Sequence, residues 1–264
     1  MKPGNPLLSG RRQKAVLTAV ALAAVVLLGT WAAAQPGRWH VIAAYRTGLD
    51  DRTPAQIHNA RLAVQAIDGK LLPPGGEFSF NKTVGSWSAD RGYVKAPVSY
   101  EGELIPSWGG GVCQASTTLY NAALLAGLEI LERHRHQFPP RYAPPGQDAA
   151  VAQYNIDLRF RNPYDRPVRI EAEVRGKWLI CRIISRKLPD CDITVEREIR
   201  EVIPPGEVVR ASGTGPEMTW RMVTRGAPGL RVAVYRRVTR EGQSVRTLIS
   251  EDTYPPLNRL IRGE

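Results

Sequence analysis

Apolar residues recur at helical spacing in two stretches of the 264-residue chain and alternate with polar ones in many others. In "TPAQIHNARLAVQAIDG", Ile57, Ala60, Val64 and Ile67 fall on one helical face. Thr53 predicts the N-cap, Pro54 the first turn, Gln56 a capping box, and Gly69 the stop. "LLPPGGEFSFNKTVG" follows, with Pro-Pro-Gly-Gly punctuation and an alternation of Phe78 and Phe80 that predicts a short strand. "RGYVKAPVSYEGELIPSW" reads as extended chain turning at Glu101-Gly102. The second helix is expected from about Cys113 to Ala126, with Ala115, Leu119, Ala122, Ala123 and Ala126 as its apolar face and Gly127 as its stop.

Beyond Gly127 the pattern turns to strands. "LEILERHRHQF" looks extended, and "NIDLRFRN", "RPVRIEAEV" and "KWLICRIIS" predict a meander. After about residue 190, Gly- and Pro-punctuated short strands predict a small all-β module of about 70 residues. The organisation expected is a leader or anchor over 1–35, a linker over 36–52, a principal domain over 53–186 and a β-rich C-terminal module over 187–264. The expected fold class is α+β, with a helix capped by a cysteine packed on an antiparallel sheet.

Charge and the N-terminus set the compartment. The net charge is +11, of which the first 35 residues supply four (Lys2, Arg11, Arg12, Lys14) and no acid. The remaining excess is spread without a run of five like charges, which gives nucleic-acid binding weak support and suits an anionic cell envelope instead. The uncharged run from Ala15 to Ala34 is 20 residues, enough to cross a hydrocarbon core as a helix. Its basic flank lies on the N-terminal side, which places the rest of the chain outside the cytoplasmic membrane. "AAAQ" at Ala32 to Gln35 also offers a cleavage site after Ala34, so a single N-terminal anchor and a removed signal both fit. In such an oxidising space Cys181 and Cys191 could pair, which leaves Cys113 as the odd thiol.

That thiol sits in "WGGGVCQASTTLYNAALLAGLEILERHRH". A cysteine in the first turn of a helix lies near the positive end of the macrodipole, among N–H groups without intrahelical partners. This setting stabilises a thiolate, and the N–H groups of Cys113 and Gln114 could hold an oxyanion. Gly109, Gly110 and Gly111 would let a substrate backbone approach, Gln114, Ser116 and Thr117 could contact substrate, and Trp108 and Trp87 could stack on a sugar. A cysteine nucleophile wants a base and an orienting group. His134 and His136, two apart on an extended segment, are expected to face one way with Arg133 and Arg135 opposite. Asp148 follows twelve residues after His136, completing a workable Cys113–His136–Asp148 triad with His134 as the other candidate base. The same cluster offers a rival four-ligand zinc site, since Cys, His and carboxylate are all acceptable ligands. No cofactor is otherwise implied.

At these residues the sequence resembles the VanW family. The resemblance is carried by "RLAVQAIDGKLLPPGGEFSFNKTVG", by "RGYVKAPVSYEGELIPSWGGGVCQASTTLYNAALLAGLEILERHRHQFPPRYAPPGQDAAV" and by "DLRFRNPYDRPVRI", from about Ala55 to about Ile184. It implies an extracytoplasmic bacterial protein connected with peptidoglycan. A more distant likeness, in the order cysteine, helix, strand, His136, Asp148, is to transglutaminase-like and papain-like cysteine enzymes. That likeness implies Cys113 as nucleophile, His136 as base and Asp148 as orienter. The expected function is therefore thiol-dependent acyl transfer or amide cleavage on peptidoglycan stem peptides, as a peptidase or transpeptidase-like enzyme. A non-catalytic wall-binding or scaffold domain is the alternative class, and partners are peptidoglycan and, through residues 15–34, the cytoplasmic membrane.

Overall fold

The computed structural model describes residues 38–100, 103–153, 155–211 and 220–263. The anchor or signal expected over 15–34 and the turn at Glu101-Gly102 lie outside the described residues. Among the described residues no helix is long and apolar enough to cross a membrane.

Strand β1 (His40–Gly48) leads into helix α1 (Pro54–Ile67), which begins as its sequence dictates. Thr53 Oγ1 accepts from the Gln56 amide at 3.2 Å and the Gln56 side chain accepts from the Thr53 amide at 3.0 Å, a complete capping box. Strands β2 (Leu71–Leu72) and β3 (Glu77–Ser79) follow, then helix α2 (Phe80–Val84). Phe78 is thus on a strand and Phe80 opens a helix, yet both are buried. Strands β4 (Lys95–Tyr100) and β5 (Glu103–Trp108) form an antiparallel hairpin that delivers the chain to helix α3 (Val112–Leu125). A Schellman closure ends α3: the Leu128 amide reaches Ala123 O at 3.0 Å and the Gly127 amide reaches Leu124 O at 3.2 Å.

The remaining strands are β6 (Glu129–Glu132), β7 (Arg159–Arg161), β8 (Val168–Arg175) and β9 (Trp178–Ser185), then β10 (Asp192–Ile203), β11 (Glu207–Ala211), β12 (Trp220–Thr224), β13 (Gly229–Arg240), β14 (Gln243–Tyr254) and β15 (Arg259–Gly263). They assemble into sheets ordered β1-β9-β8-β2, β3-β7-β6, β10-β13-β14 and β11-β15-β12. The expected meander is therefore split: β8 and β9 form a hairpin, whereas β7 pairs with β3 and β6. Helix α3 packs on β1 and β9, and Leu119 and Leu124 of the helix and Leu179 and Ile183 of β9 are all fully buried. Phe160 of β7 stacks on Phe78 with ring centroids 4.7 Å apart, closing the core on the other side.

Two expectations need correction. The α+β class with a transglutaminase- or papain-like order does not describe this chain: 48% of it is strand and 17% helix, in several antiparallel sheets. The physical cause lies between α3 and residue 150. Strand β6 stops at Glu132, before the histidines, and Asp148 sits in a loop, so neither residue belongs to the sheet on which α3 packs. Cysteine does not cap α3 either; Gly111 does, at φ 107°. The second correction concerns Cys181 and Cys191, which are free thiols. Cys181 points into the core from the middle of β9, and Cys191 lies half-buried beyond the end of that strand, just ahead of β10 in a different sheet.

Removing the Phe160 ring takes away both a buried aromatic and its stacked partner contact. Phe160→Ala is expected to cost about 3–5 kcal/mol of unfolding free energy, measured by urea titration.

Candidate functional site

Cys113 is the second residue of α3, and its position is fixed by the three glycines before it. Gly111 is so close to α1 that a Cβ there would lie 2.2 Å from the Gln56 carbonyl oxygen, besides needing φ 107°. A Cβ on Gly110 would come within 2.8 Å of the Ala96 and Pro97 carbonyls, and one on Gly109 within 3.0 Å of Trp87. Asn59 of α1 locks the same loop from below, donating to Gly110 O and Val94 O, both at 2.9 Å. Gly110 and Gly111 are thus required by contact with the protein's own backbone, and Gly109 by contact with the Trp87 side chain.

The polar residues of the first turn are also turned inward. Gln114 is buried and donates to Thr47 Oγ1 at 3.0 Å and Gly48 O at 2.7 Å, tying α3 to β1. Ser116 donates to Ala149 O at 2.6 Å, and Thr117 pairs with Ala149 through both its carbonyl and its amide. Their role in the structure is to hold the segment after Asp148 along α3. Trp108, at the end of β5, is exposed, with Lys95 over its ring. The Gln114 amide is already bonded to Gly111 O at 3.1 Å, so the Cys113 amide is the first-turn N–H left for an oxyanion beside the sulfur.

The structure brings Cys113, His136 and Asp148 together and leaves His134 out. The Cys113 thiol donates to Val151 O at 3.3 Å, and the His136 ring is near enough to the sulfur for each to shift the other's pKa. His136 Nδ1 donates to Asp148 Oδ2 at 2.6 Å, which leaves Nε2 as the ring nitrogen available to sulfur. The His136 amide donates to the same oxygen at 2.7 Å. His134 instead bonds Glu132 at 3.0 Å from a half-exposed position, while its carbonyl accepts the Ala150 amide. The expected alternation fails because residues 133–136 are not a continuous strand. Arg133, expected on the opposite face, is nearly buried and joins His136 at Asp148.

Burial raises the Cys113 pKa, but the hydrogen bond and charge of His136 outweigh it, and the thiol is held below its ordinary value. For His136, burial lowers the pKa, yet bonding to Asp148 and Cys113 lifts it to about 9. Burial likewise raises Asp148, and the His136 bond with the Arg133 charge takes it below the usual carboxylate range. The three shifts all run toward a thiolate beside an imidazolium over a carboxylate. Both oxygens of Asp148 are engaged: Oδ2 by His136, Oδ1 by Arg133 at 3.1 Å and by the Tyr254 hydroxyl. Among the described residues no group of three or more His, Cys, Asp or Glu is arranged to hold a metal ion. An open cleft of about 240 Å³ lined by Lys70, Glu77, Ser79, Lys82 and Arg159 includes none of the three site residues.

Four residues of the neighbourhood escape the sequence patterns. Tyr142 packs edge-on to His136 with ring centroids 6.4 Å apart and carries Arg52 over its ring at 5.0 Å. Burial, then the Cys113 charge, raises its pKa. Arg133, Asp252 and Tyr254 are the other three, the last two coming from β14. Tyr142 lies in the quoted "RYAPPGQD", six residues before Asp148, and its proximity was available as a cue. Nothing local marks Tyr254, which is 106 residues from Asp148.

The fold and site together define a β-rich domain that holds a cysteine–histidine–aspartate cluster at the start of one helix. Residues 55–184 match the family described as "VanW like protein", and this region of the chain belongs to the VanW-like family. The "Uncharacterized protein YoaR" of Bacillus subtilis (strain 168) is 37% identical over 163 residues, 59% of this chain and 54% of that protein. The "Vancomycin B-type resistance protein VanW" of Enterococcus faecalis (strain ATCC 700802 / V583) is 30% identical over 139 residues, 51% of this chain and 50% of that protein. The chain thus spans about half the length of the curated relatives it matches. The solved IgA1 protease G5 domain aligns at 21% identity over 28% of this chain and 90% of its own, with a TM-score of 0.21, which decides nothing about this chain.

The shifts set a pH dependence. Below the lowered Cys113 pKa the sulfur is protonated and slow; above it the thiolate reacts, and His136 keeps its proton until about 9. Iodoacetamide labelling of Cys113, read by peptide mass, should be half-maximal below the ordinary thiol value of about 8.5. In His136→Asn, burial and the Asp148 charge both act to raise the thiol, so the midpoint should climb to that value or above. Each unit costs about tenfold in thiolate, offset roughly threefold by higher nucleophilicity. A shift of two units therefore slows labelling at pH 7 by about tenfold.

Proposed function

We propose that the VanW-like domain carries out thiol-dependent acyl transfer or amide cleavage on peptidoglycan stem peptides. The observation that carries the proposal is the Cys113–His136–Asp148 cluster, with the thiol pKa lowered and the imidazole pKa raised to about 9. Those opposed shifts favour an ionised nucleophile and a protonated acid side by side. Burial without such a partner has the reverse effect, as the Cys181 thiol shows, its pKa raised by the core around it. The substrate class rests on the family resemblance and on the vancomycin resistance named for one relative. The excess of basic side chains, favourable toward an anionic wall, fits the same location.

The chemistry follows from the geometry. The Cys113 thiolate attacks an amide carbonyl, a C–S bond forms, and the oxyanion rests against the Cys113 amide. As the tetrahedral adduct collapses the C–N bond breaks, and His136 gives its proton to the departing amine. Water or an acceptor amine then attacks the thioester, losing its proton to the neutral His136, and the thiolate is restored. Asp148 holds the imidazole by Nδ1 throughout, which leaves Nε2 for the proton transfers.

Incubation of the full chain with isolated stem peptides should give a cleaved or transferred product and a thioester adduct on the Cys113 peptide. Cys113→Ala should lose the product by about 10³-fold or more. Retention of product formation in that variant, or wall binding with no product from either protein, would sink the catalytic assignment; the second outcome favours a wall-binding domain.

A further inference from the structure

The cluster is not complete within residues 55–184, and what it lacks comes from the C-terminal sheet. Tyr254, the last residue of β14, is fully buried, and its hydroxyl donates to Asp148 Oδ1. The same hydroxyl accepts the Gly146 amide at 2.8 Å, so one side chain ties Gly146 to Asp148 in the loop that presents the carboxylate. Two residues earlier on β14, Asp252 takes Arg133 Nη1 at 2.6 Å. Arg133 spans the gap: its Nε donates to Asp148 O at 2.6 Å and its Nη2 to Asp148 Oδ1 and Gly146 O. Close packing accompanies these bonds, since a Cβ on Gly146 would lie 2.7 Å from Val234 on the neighbouring strand β13.

We propose that Tyr254 is a positioning residue for the Cys113–His136 pair, and that the C-terminal sheet completes the site by fixing the Asp148 carboxylate. The inference rests on the acyl-transfer reading for its consequence, but its premise is geometric. Asp148 lies in a loop outside the named strands. Apart from the His136 ring and amide, the carboxylate has two donors, Tyr254 and Arg133, and the second is itself held by Asp252. With the hydroxyl gone, Oδ1 loses one donor and the Gly146 amide loses its acceptor, so the carboxylate no longer holds one orientation toward Nδ1. Other charged or titratable groups facing the cluster are Tyr142 with Arg52 over its ring, Tyr120 under Arg133, and Arg135 over the Tyr254 ring. None of these four bonds the Asp148 carboxylate.

Iodoacetamide labelling of Cys113 across pH, in the full chain, separates positioning from bulk stability. Tyr254→Phe keeps the ring and removes the hydroxyl. Its labelling midpoint is expected to rise by about one pH unit, slowing the pH 7 rate about threefold, while the plateau at high pH rises about threefold with the more basic thiolate. A change in thermal stability with the midpoint unmoved would show that Tyr254 only packs, and would overturn the proposal. A wild-type midpoint at the ordinary thiol value would instead refute the Cys113–His136 pair itself, so the two failures are distinguishable. If Tyr254→Phe does not fold, Asp252→Ala decides: the midpoint should rise by a smaller amount as Arg133 loses its outer anchor, and an unmoved midpoint overturns the proposal.

Discussion

Asp148 is a carboxylate placed where water does not reach it, and the architecture around the thiol is organised to make that tolerable. An isolated buried carboxylate is costly enough that it would ordinarily take up a proton. Here two donors from His136, one from Arg133 and one from Tyr254 hold it charged. The four bonds come from two distant parts of the chain, so the charge is stable only when both are assembled. Asp148 therefore links folding to chemistry: the bonds that compensate its burial are the bonds that aim His136.

This explains why the local structure around the site is irregular. A continuous β6 running through His136 would satisfy backbone groups by ladder and would send Arg133 and His136 to opposite faces. The strand instead ends at Glu132, and one isolated bridge at His134 and Ala150 keeps the two segments adjacent. Ladder bonds are replaced by side-chain ones: Ser116 and Thr117 to Ala149, Asn121 to Gln147 O at 2.7 Å, Arg133 to the carbonyls of Gly146 and Asp148. Losing the alternation lets residues three apart, Arg133 and His136, converge on one carboxylate.

The same contrast decides what could be read from the residues alone. Helix α1 was legible to its cap, because Thr53, Pro54 and Gln56 act within one turn. The end of α3 was legible because Gly127 supplies the left-handed residue on which a Schellman closure depends. Cys113, His136 and Asp148 could be named from chemistry and spacing. Their surroundings could not: the inward turn of Gln114, Ser116 and Thr117 depends on β1 and on residue 149, both far along the chain. The fold class failed for a related reason. Helical periodicity in α1 and α3 is conspicuous, whereas the strands that dominate the chain are short or pair out of order, as β7 does with β3 and β6.

The glycine run before Cys113 is best understood from the opposite direction to the one its composition suggests. Flexible glycines next to a nucleophile invite the idea of a substrate backbone sliding past. Yet Gly110 and Gly111 approach their own protein so closely that any side chain would strike carbonyl oxygens of β4 and α1. Asn59, buried beneath them, bonds both the loop and the strand entry at Val94. The run is thus a rigid seat, and its rigidity is what a first-turn thiolate needs. Backbone N–H groups stabilise a charge only if they stay directed at it, and a loop pinned on both sides cannot turn them away. Glycine contacts thus fix the backbone that carries the sulfur, and Asp148 fixes the imidazole.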